Sequence, residues 1–325
     1  MQPLDDAQVD SLVTTFPEVA ALASNARSRE LLRRPVVFEL LVRGGLQGVP
    51  LSDADAMMQI WSGLVCRGGR TDRGSAQARE LALLSLAELS LTGTDDLNRV
   101  LAIDPVAIEG LRHDGLLRSS TDNPFQIGPE FSHDEVRRYA VARLMLGSPN
   151  VTSRLVDAHA PRWALSAARL ACQVRLAEGD SPRNPMRERF SRMQQSFDAL
   201  AEAGHGARCG DVPGEALLTL GNPEPVLRAA WSDLRADNDA GLRRISRLVA
   251  QRLVDGSGVV QLSAIEPVID LLLASEQPWS AGEHAETLLR KWLHASIHSR
   301  RPQAVVSELR AQNFAGKCIR RVHPV

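Results

Sequence analysis

The stretch of sequence that decides the fold is residues 115–146, which read GLLRSSTDNPFQIGPEFSHDEVRRYAVARLML. Two short segments, residues 116–119 and 125–127, flank a run at residues 121–124 (TDNP) whose side chains favour a tight turn. His133 follows, and the acidic residues directly after it suit the first turn of a helix. The stretch therefore predicts the end of one helix, a short polar hairpin, and a helix that begins at the histidine.

Residues 75–115 are predicted to supply the helices that precede this hairpin. A long helix is expected over residues 76–91, a short one over residues 95–101, and a third from Asp104-Pro105 to about residue 114. The third has an acidic cap and a proline at its first helical position, where the missing N–H has no partner to lose. Three helices and a hairpin in this order predict a winged helix with a small β-hairpin wing over residues 75–147.

Residues 1–66 predict a short helical lid bundle. One helix ends before Pro35, because proline lacks an N–H and disfavours helix at the residue before it. An apolar helix over residues 36–42 follows, and Ser52 is the expected cap of a further helix that runs to Val65. The polar residues 67–74 are predicted to link this bundle to the winged helix.

Residues 150–325 predict one helix after another. Two helix pairs, at residues 225–253 and 264–297, look alike and have about the length of a HEAT-type repeat. Such hairpins cannot cover their own apolar faces, so they are expected to stack into a HEAT-like α-solenoid. The predicted fold class is mainly α throughout.

Composition and charge exclude several classes of function. The chain has 325 residues, of which 44% are hydrophobic and 24% charged, and its formal net charge of −1 gives no global field to attract nucleic acid or an acidic membrane. No apolar run approaches the roughly 18 residues of a membrane span, and the first residues are acidic where a secretory signal is basic. Four cysteines are too far apart for a zinc site or a redox dithiol: Cys66, Cys172, Cys209 and Cys318. We therefore expect a cytoplasmic protein.

Three segments carry a resemblance to a known family. They are LDD at residues 4–6 followed by FP at 16–17, LLRRPVVFELL at 31–41, and FSHD at 131–134 leading into YAVAR at 139–143. In this order and spacing they resemble the helical lid and winged helix that follow the ATPase core in signal-transduction NTPases of the STAND class (NACHT-like switches).

The resemblance, which covers about residues 1–147, implies roles for two residues. In that family the lid proline packs on adenine, and the winged-helix histidine reaches the β-phosphate of ADP in the closed, inactive state. Carried over, Pro35 would contact adenine and His133 would contact phosphate, at a helix N-terminus that already favours an anion. The sequence leaves the structural alternatives open: Pro35 can simply end a helix, and His133 can simply cap one.

The residues that an ATPase needs are not found in the sequence. A phosphate-binding loop requires Gly-x-x-x-x-Gly-Lys-Ser/Thr, and neither lysine, Lys291 or Lys317, lies in that pattern. No Walker-B run of apolar residues ending in paired acids is present either. We therefore predict that the chain is not an enzyme. It is expected to have no metal and no cofactor in isolation, and to use ADP or ATP only when joined to an ATPase core.

Two other groups of residues could have a functional role instead of a purely structural one. The dipeptides at residues 113–114 and 133–134 are both His-Asp, a pair found in metal-dependent phosphohydrolases, but one ends a helix and the other begins one, so chance is the better interpretation. Four arginines cluster around one helix: Arg183, Arg187, Arg189 and Arg192. A solvated face is the favoured interpretation, and a docking patch for an acidic partner or nucleic acid is the alternative.

The first functional hypothesis is a non-catalytic regulatory and sensor segment of a STAND-type signalling or defence ATPase, from a truncated or split protein or a fragment. Its solenoid would recognise a protein trigger, and oligomerisation is compatible with the intact protein; neither nucleic acid nor membrane is an expected partner. The alternative is a winged-helix DNA-binding regulator with a helical ligand-sensing or oligomerisation domain. Residues 106–111 contain no arginine, asparagine or glutamine to read base edges, which favours the first hypothesis.

Overall fold

The computed structural model describes residues 3–67, 71–94, 96, 102–119, 128–255 and 266–271. This part of the chain is mainly helical, which confirms the predicted helical class. Two compact units are present: Met1–Arg175 with Leu200–Cys209, and Leu176–Ala199 with Gly210–Val325. The division into lid, winged helix and repeats stays a prediction. Within the described ranges, no helix has both the length and the apolar character needed to cross a bilayer.

The described α-helices are, in chain order, α1 (Asp6–Thr15), α2 (Ala20–Ser24), α3 (Ala26–Leu32), α4 (Pro35–Gly44), α5 (Asp53–Ile60), α6 (Ala76–Thr92), α7 (Pro105–His113), α8 (Asp134–Leu146), α9 (Val151–Asp157), α10 (Leu165–Ala177), α11 (Met186–Leu200), α12 (Val212–Leu218), α13 (Glu224–Leu234) and α14 (Ala236–Asp255). Short 3-10 turns lie at Pro17–Val19, Thr71–Arg73, Arg162–Ala164 and Ala207–Asp211, and π turns at Trp61–Val65 and Ala201–His205.

Helices α1 to α5 pack on one another in sequence order. Helix α1 begins with a capping box, in which Asp5 accepts from the Gln8 N–H at 2.8 Å and the Gln8 side chain accepts from the Asp5 N–H at 2.9 Å. Helix α4 and the π turn come so close that their contact requires glycine. A Cβ on Gly63 would lie 2.2 Å from the Gly44 carbonyl oxygen. The helix that was expected to continue from Ser52 to Val65 is thus α5 followed by this π turn.

Helix α6 packs against α7 and α8, and α8 packs against α9. Ser75 caps α6 and accepts from the Ala78 N–H at 3.1 Å. Asp104 is the predicted cap of α7 and accepts from the Val106 N–H at 2.9 Å. Between α7 and α8, Leu117 and Phe131 form an isolated antiparallel bridge. The turn predicted at residues 121–124, and residues 95 and 97–101 of the predicted second helix, lie outside the described residues.

A buried ion pair joins α6 and α7 to the first five helices; we call it the Arg79 hub. The side chains of Arg79 and Asp114 are 5% and 8% exposed, and Arg79 Nη2 lies 2.6 Å from Asp114 Oδ2. The same nitrogen donates to the carbonyl oxygen of Leu64 in the π turn at 2.6 Å. Arg73 adds a second ion pair to Asp114 at 3.0 Å. Arg73, in the second half of the predicted linker at residues 67–74, is therefore tied to the hub.

In the second compact unit, α14 packs against α12 and α13. A left-handed turn interrupts α14 at Asp237, Asn238 and Asp239, with φ of 50°, 57° and 61°. The buried carboxylate of Asp239 lies 2.5 Å from Arg235 Nε. Helices α13 and α14 coincide with the first of the two similar helix pairs, whereas most of the second pair, residues 264–297, lies outside the described residues.

Candidate functional site

Pro35 occupies the first position of α4, and Arg34 is the residue before the helix. The fixed φ of proline suits this position, because a first-turn N–H has no helical partner to lose. The Phe38 N–H donates to the Arg34 carbonyl oxygen at 3.0 Å, which closes the first turn. Pro35 is half-buried. Its position is therefore accounted for by helix initiation, and its contact with adenine stays a prediction.

His133 is the N-cap of α8, as the sequence indicates. Its Nδ1 atom accepts a hydrogen bond from the Glu135 N–H at 3.1 Å, the role that an Asp or Asn side chain usually has. Because Nδ1 is an acceptor, the neutral ring carries its proton on Nε2, which leaves Nε2–H as a donor. The imidazole thus caps its helix and still retains one hydrogen-bond donor.

His133 also lines a cavity of about 810 Å³ between the end of α6, the base of the bridge and the start of α8. Two arginines line it, and both are paired with carboxylates: Arg118 with Glu130 at 3.2 Å, and Arg137 with Asp134 at 2.9 Å. Asp96 is a third lining carboxylate. With two guanidinium groups against three carboxylates, the described lining does not by itself form a phosphate site.

Pro35 is not among the described residues that line this cavity. The cavity therefore contains one of the two residues implied by the family resemblance. An ion pair links the surroundings of Pro35 and His133. Arg34, which precedes Pro35, lies 3.5 Å from Glu135, which is two residues after His133.

That ion pair belongs to a group of four charged side chains, Arg34, Asp53, Glu135 and Arg138, which we call the Arg34 cluster. Arg34 binds Asp53 at the start of α5 as well as Glu135 on α8. Arg138, also on α8, lies 3.3 Å from Asp53 and 2.8 Å from Glu135. The side chains are between 12% and 27% exposed. Two positive and two negative groups from separate elements therefore meet in a partly buried interface.

Asp53 and Arg138 of the cluster keep their charges at neutral pH. Burial by itself raises the pKa of Asp53, but the guanidinium groups of Arg34, Arg138 and Arg169 outweigh it, so the pKa of that carboxyl is lowered. Burial opposes the charge of Arg138, yet Asp53 and Glu135 raise its pKa. Tyr139, whose ring lies 5.3 Å from the Arg138 guanidinium, is fully buried, and burial raises its pKa to about 12.

The His-Asp dipeptide at residues 113–114 and the arginine cluster around residues 183–192 both have structural roles in the described residues. Asp114, of the first His-Asp dipeptide, belongs to the Arg79 hub. The arginine cluster is not a uniform solvated face, because Arg189 is buried and donates to the carbonyl oxygens of Glu178, Gly179 and Asn184 at 2.7, 2.9 and 2.8 Å. Arg187 pairs with Asp233 at 2.6 Å, which neutralises it.

Comparison with known proteins adds no identification: no family model, curated protein or solved structure matches this chain.

Proposed function

We propose that this chain is a non-catalytic regulatory segment of a STAND-type signalling ATPase. In this proposal residues 1–66 are the helical lid, residues 75–147 the winged helix, and residues 150–325 a HEAT-like sensor that recognises a protein trigger in the cytoplasm. The observation that carries it is the Arg34–Glu135 ion pair, which links the residue before Pro35 to the helix capped by His133. A nucleotide switch that acts through lid and winged helix needs such a link between them.

The winged-helix part of the proposal is supported by the order of elements. Helices α6 and α7 are followed by the Leu117–Phe131 bridge and then by α8. Backbone hydrogen bonds extend this bridge on either side, from the Arg118 N–H to the Glu130 oxygen at 2.9 Å and from the Ser132 N–H to the Leu116 oxygen at 3.1 Å. Two paired segments joined by residues 119–129 are what the base of a β-hairpin wing requires.

The sensor part is supported by the α13–α14 hairpin. Val226, Leu227, Ala230 and Leu234 of α13 are buried, whereas the opposite face carries the exposed Pro225, Arg228 and Ser232. An amphipathic helix pair of this kind is the unit from which helical repeats are built.

A nucleotide would be held mainly by a core domain outside these residues. The carboxylates around His133 leave the described cavity without excess positive charge, so the core would have to supply the phosphate-binding cations. This chain would add the apolar ring of Pro35 and the Nε2–H donor of His133.

Thermal denaturation with ADP tests the nucleotide contacts directly. We expect 10 mM ADP to raise Tm by about 2 °C, because a site with Kd on the order of 1 mM is then mostly filled. GDP is the control for adenine recognition. His133→Asn retains a cap acceptor but loses the imidazole, so it should fold normally and lose part of the ADP shift. No shift with ADP, or an equal shift in His133→Asn, contradicts the nucleotide role.

The DNA-binding alternative has its own test. Helix α7 would be its recognition helix, but the exposed face of α7 carries Glu109, which pairs with Arg112 at 2.5 Å and repels phosphate. Fluorescence anisotropy with mixed-sequence duplex DNA at two salt concentrations should give no saturable binding. Binding that weakens steeply with salt would favour the regulator instead.

A further inference from the structure

We infer that the Arg34 cluster is a latch: it holds α8 against the helices around Pro35, and it opens as a unit while the helices on either side keep their own packing. The inference rests on the proposed function only for the use that the protein makes of this movement. The movement itself can be tested without any nucleotide.

The packing divides at the cluster. Helix α4 packs on α3, α5 and the π turn, whereas α8 packs on α6 and α9. Two members of the cluster, Arg34 and Asp53, belong to the first group, and the other two, Glu135 and Arg138, belong to α8. Separating the ion pairs therefore leaves the packing of α4 on α5 and of α8 on α6 in place.

The Arg79 hub holds the two groups together when the latch is open. It connects α6 and α7 to the π turn through Asp114 and the Leu64 carbonyl oxygen. The hub carries no member of the cluster. Opening the latch therefore separates α8 from the N-terminus of α4 without detaching the winged-helix segment from the lid.

The charges make this interface easier to open than an apolar one. A buried ion pair adds little net stability compared with apolar side chains of the same size, but it fixes one arrangement. All four side chains keep a partly exposed edge, so each regains its hydration as soon as the pairs separate. Such contacts belong to the low-stability end of a folded structure, where local opening occurs.

The charges of the cluster predict which substitutions open the latch. Asp53→Asn or Glu135→Gln removes one negative charge and leaves Arg34 and Arg138 facing each other with too little compensation. Repulsion between the two guanidinium groups then favours separation. The double variant removes both carboxylates and should open the latch most.

Spin-label distance measurements test the latch. In a chain with Cys66→Ser and Cys318→Ser, labels at Glu39→Cys on α4 and Asp157→Cys on α9 report the separation across the latch, since both positions are exposed. We expect one short distance in this background. Addition of Asp53→Asn and Glu135→Gln should give a second, longer distance in more than about 10% of molecules.

Two controls separate a latch from general loosening. Labels at Gln77→Cys and Asp157→Cys lie on α6 and α9, on one side of the latch, and their distance should not change. Asp134→Asn removes an exposed carboxylate from the same first turn of α8, so it controls for the helix dipole and should leave the latch closed. Glu135→Gln alone serves if the double variant does not fold.

Three results would overturn the latch: an unchanged distance across it in the folded variants, an equal change in the Gln77 pair, or an equal opening by Asp134→Asn. None of them depends on ADP. If the distance across the latch stays short in the double variant while ADP raises Tm as expected, only the latch is rejected. If the distance lengthens but ADP does not raise Tm, only the nucleotide contacts are rejected.

Discussion

Two arginine–carboxylate groups connect the first five helices and the π turn to helices α6 to α8, and they differ in burial and in what else they bind. In the Arg79 hub, the paired side chains are 5% and 8% exposed, and Arg79 also donates to the backbone at Leu64. In the Arg34 cluster the side chains are up to 27% exposed. In the hub, a backbone acceptor adds to the buried ion pair and the contact is expected to stay closed. In the cluster, water reaches the same residue types and the contact is expected to open.

The largest effect is expected from Asp114→Asn in the hub. It leaves Arg79 buried without its counter-charge, and breaking a buried pair in this way lowers the free energy of unfolding by about 4 kcal/mol. Urea denaturation followed by circular dichroism measures it. A loss below about 1 kcal/mol would mean that the hub is no more fixed than an exposed pair.

Gly110→Ala should be the next most severe change, by about 2 to 3 kcal/mol, because it overpacks the hub. A Cβ at this position would lie 2.0 Å from the Arg73 carbonyl oxygen and 2.7 Å from Arg79 Nη1, and the first of these is a backbone atom. Gly48→Ala is the matched control: a Cβ there has nothing within 4 Å, and we expect less than about 0.5 kcal/mol. Equal urea midpoints for the two variants would contradict the tight packing.

Local features of this fold were predictable from the sequence, because the groups that determine them are close along the chain. The caps at Ser52, Asp104 and His133 bind N–H groups two or three residues away, and each was indicated by residue type. Leu117 and Phe131 form an isolated antiparallel bridge, and the hairpin predicted there stays a prediction.

The hub and the cluster could not be predicted, because their partners are far apart in sequence. Arg34 and Glu135 are separated by 101 residues, and nothing in either neighbourhood specifies the other. Single-sequence patterns give the face of a helix but not the helix it meets. The left-handed residues 237–239 were missed for a different reason, since no glycine marks that turn.

In the cluster, Glu135→Gln should lower the free energy of unfolding by only about 1 kcal/mol, since these charges remain partly hydrated. The contrast with Asp114→Asn, measured by the same urea titration, is the direct test of the comparison. The effects of Asp53→Asn and Glu135→Gln should not be additive, because both carboxylates bind the same two arginines. A loss from Glu135→Gln as large as that from Asp114→Asn would make the cluster a second fixed joint.

Acid should open the latch only well below neutral pH. The pKa of Asp53 is lowered in the folded chain, so its contribution to stability is complete above the unfolded value of about 3.9 and is lost as the pH falls through the folded value. The spin-label distance across the latch should be the same at pH 7 and pH 5 and lengthen only below about 4. Opening already at pH 5 would mean that Asp53 is not held by its arginines.

The smallest effect is a shift in the titration of Tyr139, the only tyrosine in the chain. Burial raises its pKa to about 12. The folded chain favours the neutral phenol, so this contribution to stability is complete below the unfolded pKa of about 10 and is lost as the pH rises through about 12. Phenolate absorbance after a rapid pH jump, recorded before unfolding, gives the folded midpoint.

Opening the latch should hydrate this phenol. In the chain carrying Asp53→Asn and Glu135→Gln, the midpoint should fall from about 12 towards the unfolded value of about 10, because water reaches Tyr139 and two neighbouring negative charges are gone. Asp134→Asn, whose carboxylate is exposed, should leave the midpoint in place. A midpoint that stays near 12 in the double variant means that α8 has not moved away from α4 and α5, and the cluster is then as fixed as the hub.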